Sequence, residues 1–528
     1  MITQKTQSTL STPPVSTTAQ NMVRRSQFNT HVLLASLKTL KGQFMLLALL
    51  SLLLCLILAL TQMQSFQEAS NDLNTVANGS IPSIDAAQSM AQYMEDIDAK
   101  SADYLATAPL KTLAPCSVVG YATSVGNLSV HDCDDRTITA EITQANQELY
   151  LAAHNVTYPG ERTAIDRIMA GFEEYIGDIA IMRSEYSQAK NVADSQDPHM
   201  LNARHAYQQA NSVLNQHINQ LPLSNPNGSP RFAETNIPTC QENGQTLAPQ
   251  TWALSSIHTN LDCLSGINKA HLDAAYNQAT SQMGSNLFFA IVGNVVLWLL
   301  LGYTMLRMTL ITHRLVNLGL VLALAGSLIL GIGVISHFAQ LSGPHGDFSQ
   351  MVNDDYNSVY DAALLKRYGT DANADESRWL IALEYNDQQD ADHWAQDWRN
   401  NTAQVRTLIS NAQKNQTWPE EIQPLAAMQA NWQKYYSIDG TIRSAATNMS
   451  DPQRILTAER ISTGISNNTF GKFTDAIDAL SQANRTHFNQ TLQDTSSYLS
   501  FFMLACVIIL PVLGLCAVWG VYQRLKDF

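Results

Sequence analysis

Four stretches of the chain are too apolar to remain in water, and they limit the possible folds more than any other feature. Residues 44 to 62, 286 to 306, 315 to 338 and 499 to 521 contain no Asp, Glu, Lys or Arg. Each reaches the roughly 20 residues with which a helix crosses about 30 Å of hydrocarbon. A bilayer core offers no water to unpaired backbone groups, so helix is the stable state of such a run. The sequence therefore predicts an all-α membrane protein with four transmembrane helices. The first run starts too deep in the chain and is too long for a signal-peptide core, which makes it a permanent anchor.

Basic residues near the runs set the expected orientation. Arg24, Arg25, Lys38 and Lys41 precede the first run, and nothing basic follows it until Lys100. Arg307 and Arg314 bound the loop 307 to 314, and Arg524 and Lys526 follow the last run. Both termini and that loop are thus expected to be cytoplasmic, in a multi-pass protein of the plasma membrane. Segments 63 to 285 and 339 to 498 then lie outside and hold all but one of the 45 acidic residues. A surface of that sign repels nucleic acid and anionic headgroups, which excludes nucleic acid as a partner.

Of the seven cysteines, four lie in the first outer segment: Cys116, Cys133, Cys240 and Cys263. An even number in an outer domain predicts disulfides, and pairing neighbours, Cys116 with Cys133 and Cys240 with Cys263, needs the shortest closures. Other connectivities remain open. A zinc site is the rival, but no pair has CxxC spacing.

Residues 1 to 20 are Ser, Thr, Gln and Pro with little apolar content, which predicts a disordered tail. The remainder of 1 to 43 alternates basic and apolar residues, as a juxtamembrane helix does. In the outer segments apolar residues recur three and four apart, for example Ile165, Ile168, Met169, Phe172, Ile176, Ile179 and Met182, and no alternating β-branched run is present. Breaks near 386 to 392, at Trp418-Pro419 and at Asp451-Pro452 divide the second segment into about four helices, a bundle. A shift of 275 aligns Ser83, Tyr93, Asp96, Asp98 and Tyr104 with Ser358, Tyr368, Asp371, Asn373 and Trp379. A shift of 216 aligns Asn268, Lys269 and His271 with Asn484, Arg485 and His487. These matches predict a tandem duplication of a span-bundle-span unit, with two outer domains and a short tail at 522 to 528.

Asp371-Ala-Asn373-Ala-Asp375-Glu376-Ser377 begins like a calcium loop, but Glu376 and Ala382 stand where that loop needs Gly and Glu. Two readings survive: a polar face of the first helix of the second outer segment, or a ligand or partner contact made by Asp371, Asn373, Asp375, Glu376, Arg378 and Trp379. His271 and His487 lack a second histidine within a turn, so helix packing is preferred to a metal or pH site. No nucleophile elbow, phosphate loop or HExxH is present, and neither an enzyme, a metal nor a cofactor is expected. Transport is disfavoured because the runs hold no ionisable Asp, Glu, Lys or Arg at membrane depth. The third run instead spaces Gly319, Ala323, Ser327 and Gly331 by four, a small-residue stripe suited to close helix packing, static or sliding.

A span, an outer four-helix bundle and a returning span resemble the sensory half of a bacterial chemoreceptor or histidine kinase. Only residues 522 to 528 follow the fourth run, so the output is expected to belong to another polypeptide. The stretch Tyr360 to Leu380, with four runs and two outer helical segments, resembles the actinobacterial membrane transducers that link an extracellular glutamate/aspartate-binding lipoprotein to the soluble serine/threonine protein kinase G. The resemblance implies a non-enzymatic signal transducer whose partners are a solute-binding lipoprotein outside and a kinase inside. A homo-oligomer is expected. The rival from another class is a structural or adhesive protein of the cell envelope.

Overall fold

The computed structural model describes residues 39–107, 110, 113–116, 118, 125–192, 194, 196–242, 245–313, 317–448, 450–451 and 453–526. The tail, most of the juxtamembrane segment, Arg314 and Asp527 lie outside them. The described chain is almost entirely helical and divides into two compact units. One holds the described parts of Met1–Gln67, Gly284–Ala339 and Leu499–Phe528; the other holds Glu68–Met283 and Gln340–Tyr498.

The first unit contains the four apolar runs, and its helices are long and apolar enough to span a membrane. They are α1 (Leu40–Thr75) and, because some continue beyond the unit, α6 (Ile257–Thr312), α7 (Leu318–Ser342) and α12 (Asn467–Leu525). Leu53, Leu299, Ile329 and Leu504 are more than half exposed, an outward apolar surface that suits lipid rather than water. Inside the unit small residues set the spacing. A Cβ at Gly319 would stand 2.7 Å from Gly520 Cα, and one at Gly331 would stand 2.6 Å from Asn294 Oδ1. Ala323 and Ser327 are buried between these points. The stripe thus meets α12 at one end and α6 at the other. Asn317 Nδ2 donates to the Gly520 carbonyl at 2.9 Å, satisfying a polar group in an apolar setting.

The second unit begins with α2 (Ile81–Ala106), joined to α1 through a π-helical segment at Val76–Ser80. Then come α3 (Val130–His154), α4 (Glu161–Gln188), α5 (Pro198–Asn215) and the first part of α6. After a second π-helical segment, Gln350–Tyr356, follow α8 (Asn357–Glu384), α9 (Gln388–Lys414), α10 (Ile422–Thr447) and α11 (Arg454–Ile461). A third, Ser462–Ser466, leads into α12. The helix starts are specified locally: Ser129 Oγ accepts from Asp132 N at 3.1 Å, and Asp387 Oδ1 accepts from Asp390 N at 3.1 Å. The expected stripe on α4 is corrected at Met169, which is 43% exposed; Tyr175 takes a fully buried place instead.

The only strands among the described residues are two hairpins, β1 (Leu113–Pro115) with β2 (Asn127–Ser129) and β3 (Cys240–Glu242) with β4 (Gln245–Leu247). Three-residue strands leave no periodic signal, so the sequence does not reveal them. Each hairpin adjoins a cysteine pair at disulfide distance: Cys116 with Cys133, and Cys240 with Cys263, with Cα atoms 5.7 and 5.3 Å apart.

Two matching clusters recur in this unit. Tyr158 N donates to Glu161 Oε2 at 2.6 Å, and Asn268 Nδ2 donates to its Oε1 at 2.5 Å. Trp418 N and Asn484 Nδ2 donate to the two oxygens of Glu421 in the same way, both at 2.8 Å. Asn155 donates to Ser83 Oγ as Asn415 donates to Ser358 Oγ. His271 stacks on Tyr158 and His487 on Trp418, with ring centroids 3.8 and 4.1 Å apart.

Candidate functional site

Within the second unit, α2 and α8 pack together, and Arg378 and Ser377 of α8 donate to Asp98 and Asp103 of α2. Ala87, Ala91, Ala99 and Ala102 on α2 are buried, as are Ala372, Ala374 and Ala382 on α8. From Ala372 to Ala382 every residue of α8 is buried. The polar face expected of this stretch is therefore turned inward. Its charges meet partners from other helices of the same chain, which one helix's periodicity does not disclose.

Arg378 is the centre of that layer and is 2% exposed. Its Nη1 donates to Asp371 Oδ1 at 2.9 Å and to Asp375 Oδ1 at 2.7 Å, and its Nε donates to Asp98 Oδ2 of α2 at 3.0 Å. Tyr207 and Asn211 of α5 donate to the same Asp98 oxygen at 3.0 and 3.1 Å. Asn401 of α9 holds the outer oxygens of Asp371 and Asp375 at 2.7 and 3.0 Å, and Trp394 lies under the guanidinium, 4.9 Å away. One turn or more back along α8, Arg367 forks onto Asp262 of α6.

These groups wall a cavity of about 330 Å³ bounded by α5, α6, α8 and α9. Asp262, Asp371, Asp375 and Asp397 face it against Arg367 and Arg378, with the neutral amides of Asn211, Asn215, Asn400 and Asn401 between them. Burial, followed by the charge of Asp371, pushes the Asp375 and Glu95 carboxyls well above the usual range. For Arg378 burial opposes the charge, but Asp98 and its neighbours outweigh this and hold it protonated. His258 also lines the cavity, 6% exposed, with its pKa lowered to about 3, first by burial and then by Arg367. The imidazole is neutral. Its Nε2 comes within 2.7 Å of Glu95 Oε1 at an angle that forms no hydrogen bond, and its Nδ1 has no partner.

Of the six contact residues expected on α8, Asp371, Asp375 and Arg378 line the cavity. The other three turn elsewhere. Glu376 accepts from Ser462 Oγ at 2.6 Å, Trp379 lies under the Arg443 guanidinium at 4.7 Å, and Asn373 is buried. Sequence reasoning missed Glu95, Asp98, His258, Asp262 and Arg367. A usable signal existed in the run Glu95-Asp-Ile-Asp98, acidic residues at the middle of a helix otherwise rich in Ala and Met. It also missed Asn155-Val-Thr-Tyr-Pro-Gly-Glu161 and Asn415-Gln-Thr-Trp-Pro-Glu-Glu421, which build the two matching clusters. No group of three or more His, Cys, Asp and Glu side chains is arranged to hold a metal ion among the described residues.

Fold and site together define a helical protein with four membrane-length helices and a second helical unit containing a buried, charge-lined cavity. Comparison of the chain with family models, with curated proteins and with solved structures found no match.

Proposed function

We propose that the chain is a non-enzymatic transmembrane signal transducer that relays an extracytoplasmic signal to a separate cytoplasmic kinase. The observation that carries this reading is helix continuity. α6 bears His258 and Asp262 of the charge layer and runs on without a break through residues 286 to 306. A helix is stiff along its axis, so a displacement or rotation at one end is carried to the other. The π-helical segments at Val76–Ser80, Gln350–Tyr356 and Ser462–Ser466 add favourable places for such adjustment, because π-bulges concentrate at functional positions.

In this reading the second unit is extracytoplasmic. The Lys and Arg bias around the apolar runs supports that side, as do the two cysteine pairs, which persist in oxidising compartments. The unit is a tandem duplication, supported by the matching Glu161 and Glu421 clusters and by π-helical segments that fall 275 residues apart. The partners suggested by the family resemblance are a glutamate/aspartate-binding lipoprotein and a soluble serine/threonine kinase.

Capture of the full chain in mild detergent, followed by mass spectrometry, tests the reading. Recovery of a solute-binding lipoprotein or a kinase supports it. Recovery of cell-wall components alone would favour the envelope-protein reading. Cysteines placed at Ser11 and Asp527 should resist impermeant thiol reagents in intact cells, and labelling of either would reverse the proposed orientation.

A further inference from the structure

We propose that the cavity bounded by α5, α6, α8 and α9 is a binding site of this chain for a small organic cation carrying an ammonium or guanidinium group. The inference goes beyond signal relay, because it concerns binding to this chain itself and holds whether or not a signal follows. Its basis is the occupancy of the wall. Both arginines are already engaged, Arg378 by Asp98, Asp371 and Asp375 and Arg367 by Asp262. Neither is left to receive an anion. Acceptors remain in excess: among the described residues Asp397 has one ion-pair partner, His393 Nε2 at 3.5 Å. The amide oxygens of the wall asparagines add neutral acceptors.

A second, independent observation comes from His258, which lines the cavity and is buried with an unpartnered Nδ1. A buried polar atom without a partner is uncommon in a folded protein, and a polar ligand group reaching it would satisfy it. The cavity volume of about 330 Å³ is at the lower end of the range that takes small metabolites. The indole of Trp394, already beside one guanidinium, offers an aromatic surface to a second cation.

The test is calorimetric titration of the purified full-length protein in detergent with putrescine, with agmatine and, for contrast, with L-glutamate. At least one amine should bind, and L-glutamate should not. Asp397→Asn, a change at the wall that leaves the Arg378 network in place, should weaken amine binding about tenfold, as loss of one charge-assisted hydrogen bond does. Asp478→Asn, whose Lys366 partner lies outside the cavity, should leave it unchanged. The proposal is overturned if neither amine binds at about 1 mM, if Asp397→Asn binds as wild type does, or if L-glutamate binds as tightly as the amines.

Discussion

Taking a guanidinium out of water is costly, and Arg378 is tolerated in the interior only because three carboxylates surround it. Removing the cation should therefore cost more than the pair contributes. Arg378→Met leaves Asp98, Asp371 and Asp375 facing one another, and we expect a loss of about 3–5 kcal/mol in the second unit. Thermal unfolding followed by circular dichroism measures it, and unchanged stability would mean the acids simply take up protons. Glu376 gives a pH prediction. Burial, then the Asp439 charge, raises its pKa to about 8, so the folded chain holds a proton that the unfolded chain has released. Stability from this group is fully present below the unfolded value and falls as pH rises towards 8. Glu376→Gln mimics the protonated form and should flatten that decline, visible as a smaller drop in unfolding midpoint between about pH 5 and about pH 8. The sequence hid these roles for a physical reason. Asp, Glu and Arg are usually exposed, so Asp371 to Arg378 reads as a surface until α2 and α5 supply partners.

The four membrane-length helices were readable from composition alone, because no soluble fold requires 20 consecutive apolar residues. So were the nearest-neighbour cysteine pairs, where short loops decide. The π-helical segments were not, since one extra residue in a turn does not disturb hydropathy enough to register. The small-residue stripe was visible as spacing, but its two-sided use was not: Gly319 meets α12 whereas Gly331 meets α6. Gly319→Leu should force α7 from α12 and destabilise the first unit by about 1–3 kcal/mol, the usual cost of overpacking. Denaturation of the detergent-solubilised protein checks the size of the effect. Ala323→Leu with Ser327→Leu, where both residues are buried, should leave insertion intact while abolishing response to the outer stimulus. Wild-type response in that double variant would leave the stripe a static contact.

At the scale of the molecule, the charge layer and the apolar runs share helices, and this sharing is what the sequence signalled least directly. Hydropathy divides the chain at each run, whereas α6 and α12 ignore those divisions and continue through them. If the continuous helices carry the signal, their stiffness matters more than the identity of side chains near the boundary. Replacing Ser281 and Gln282 by glycine, close to the existing Gly284, weakens α6 by about 0.5–1 kcal/mol per residue without touching the run at 286 to 306. A matching replacement of the exposed Asp494 and Ser496 weakens α12 ahead of its own run. We expect both variants to reach the membrane in normal amounts and to bind their extracytoplasmic partner as wild type does. The phosphorylation response of the proposed kinase partner should be lost in at least one of them. Loss in α6 alone would assign transmission to the helix that carries His258 and Asp262, and loss in α12 alone would assign it to the helix that follows the third π-helical segment. A full response in both would remove helix stiffness at these two boundaries as the route, leaving α1 and α7 to carry the signal.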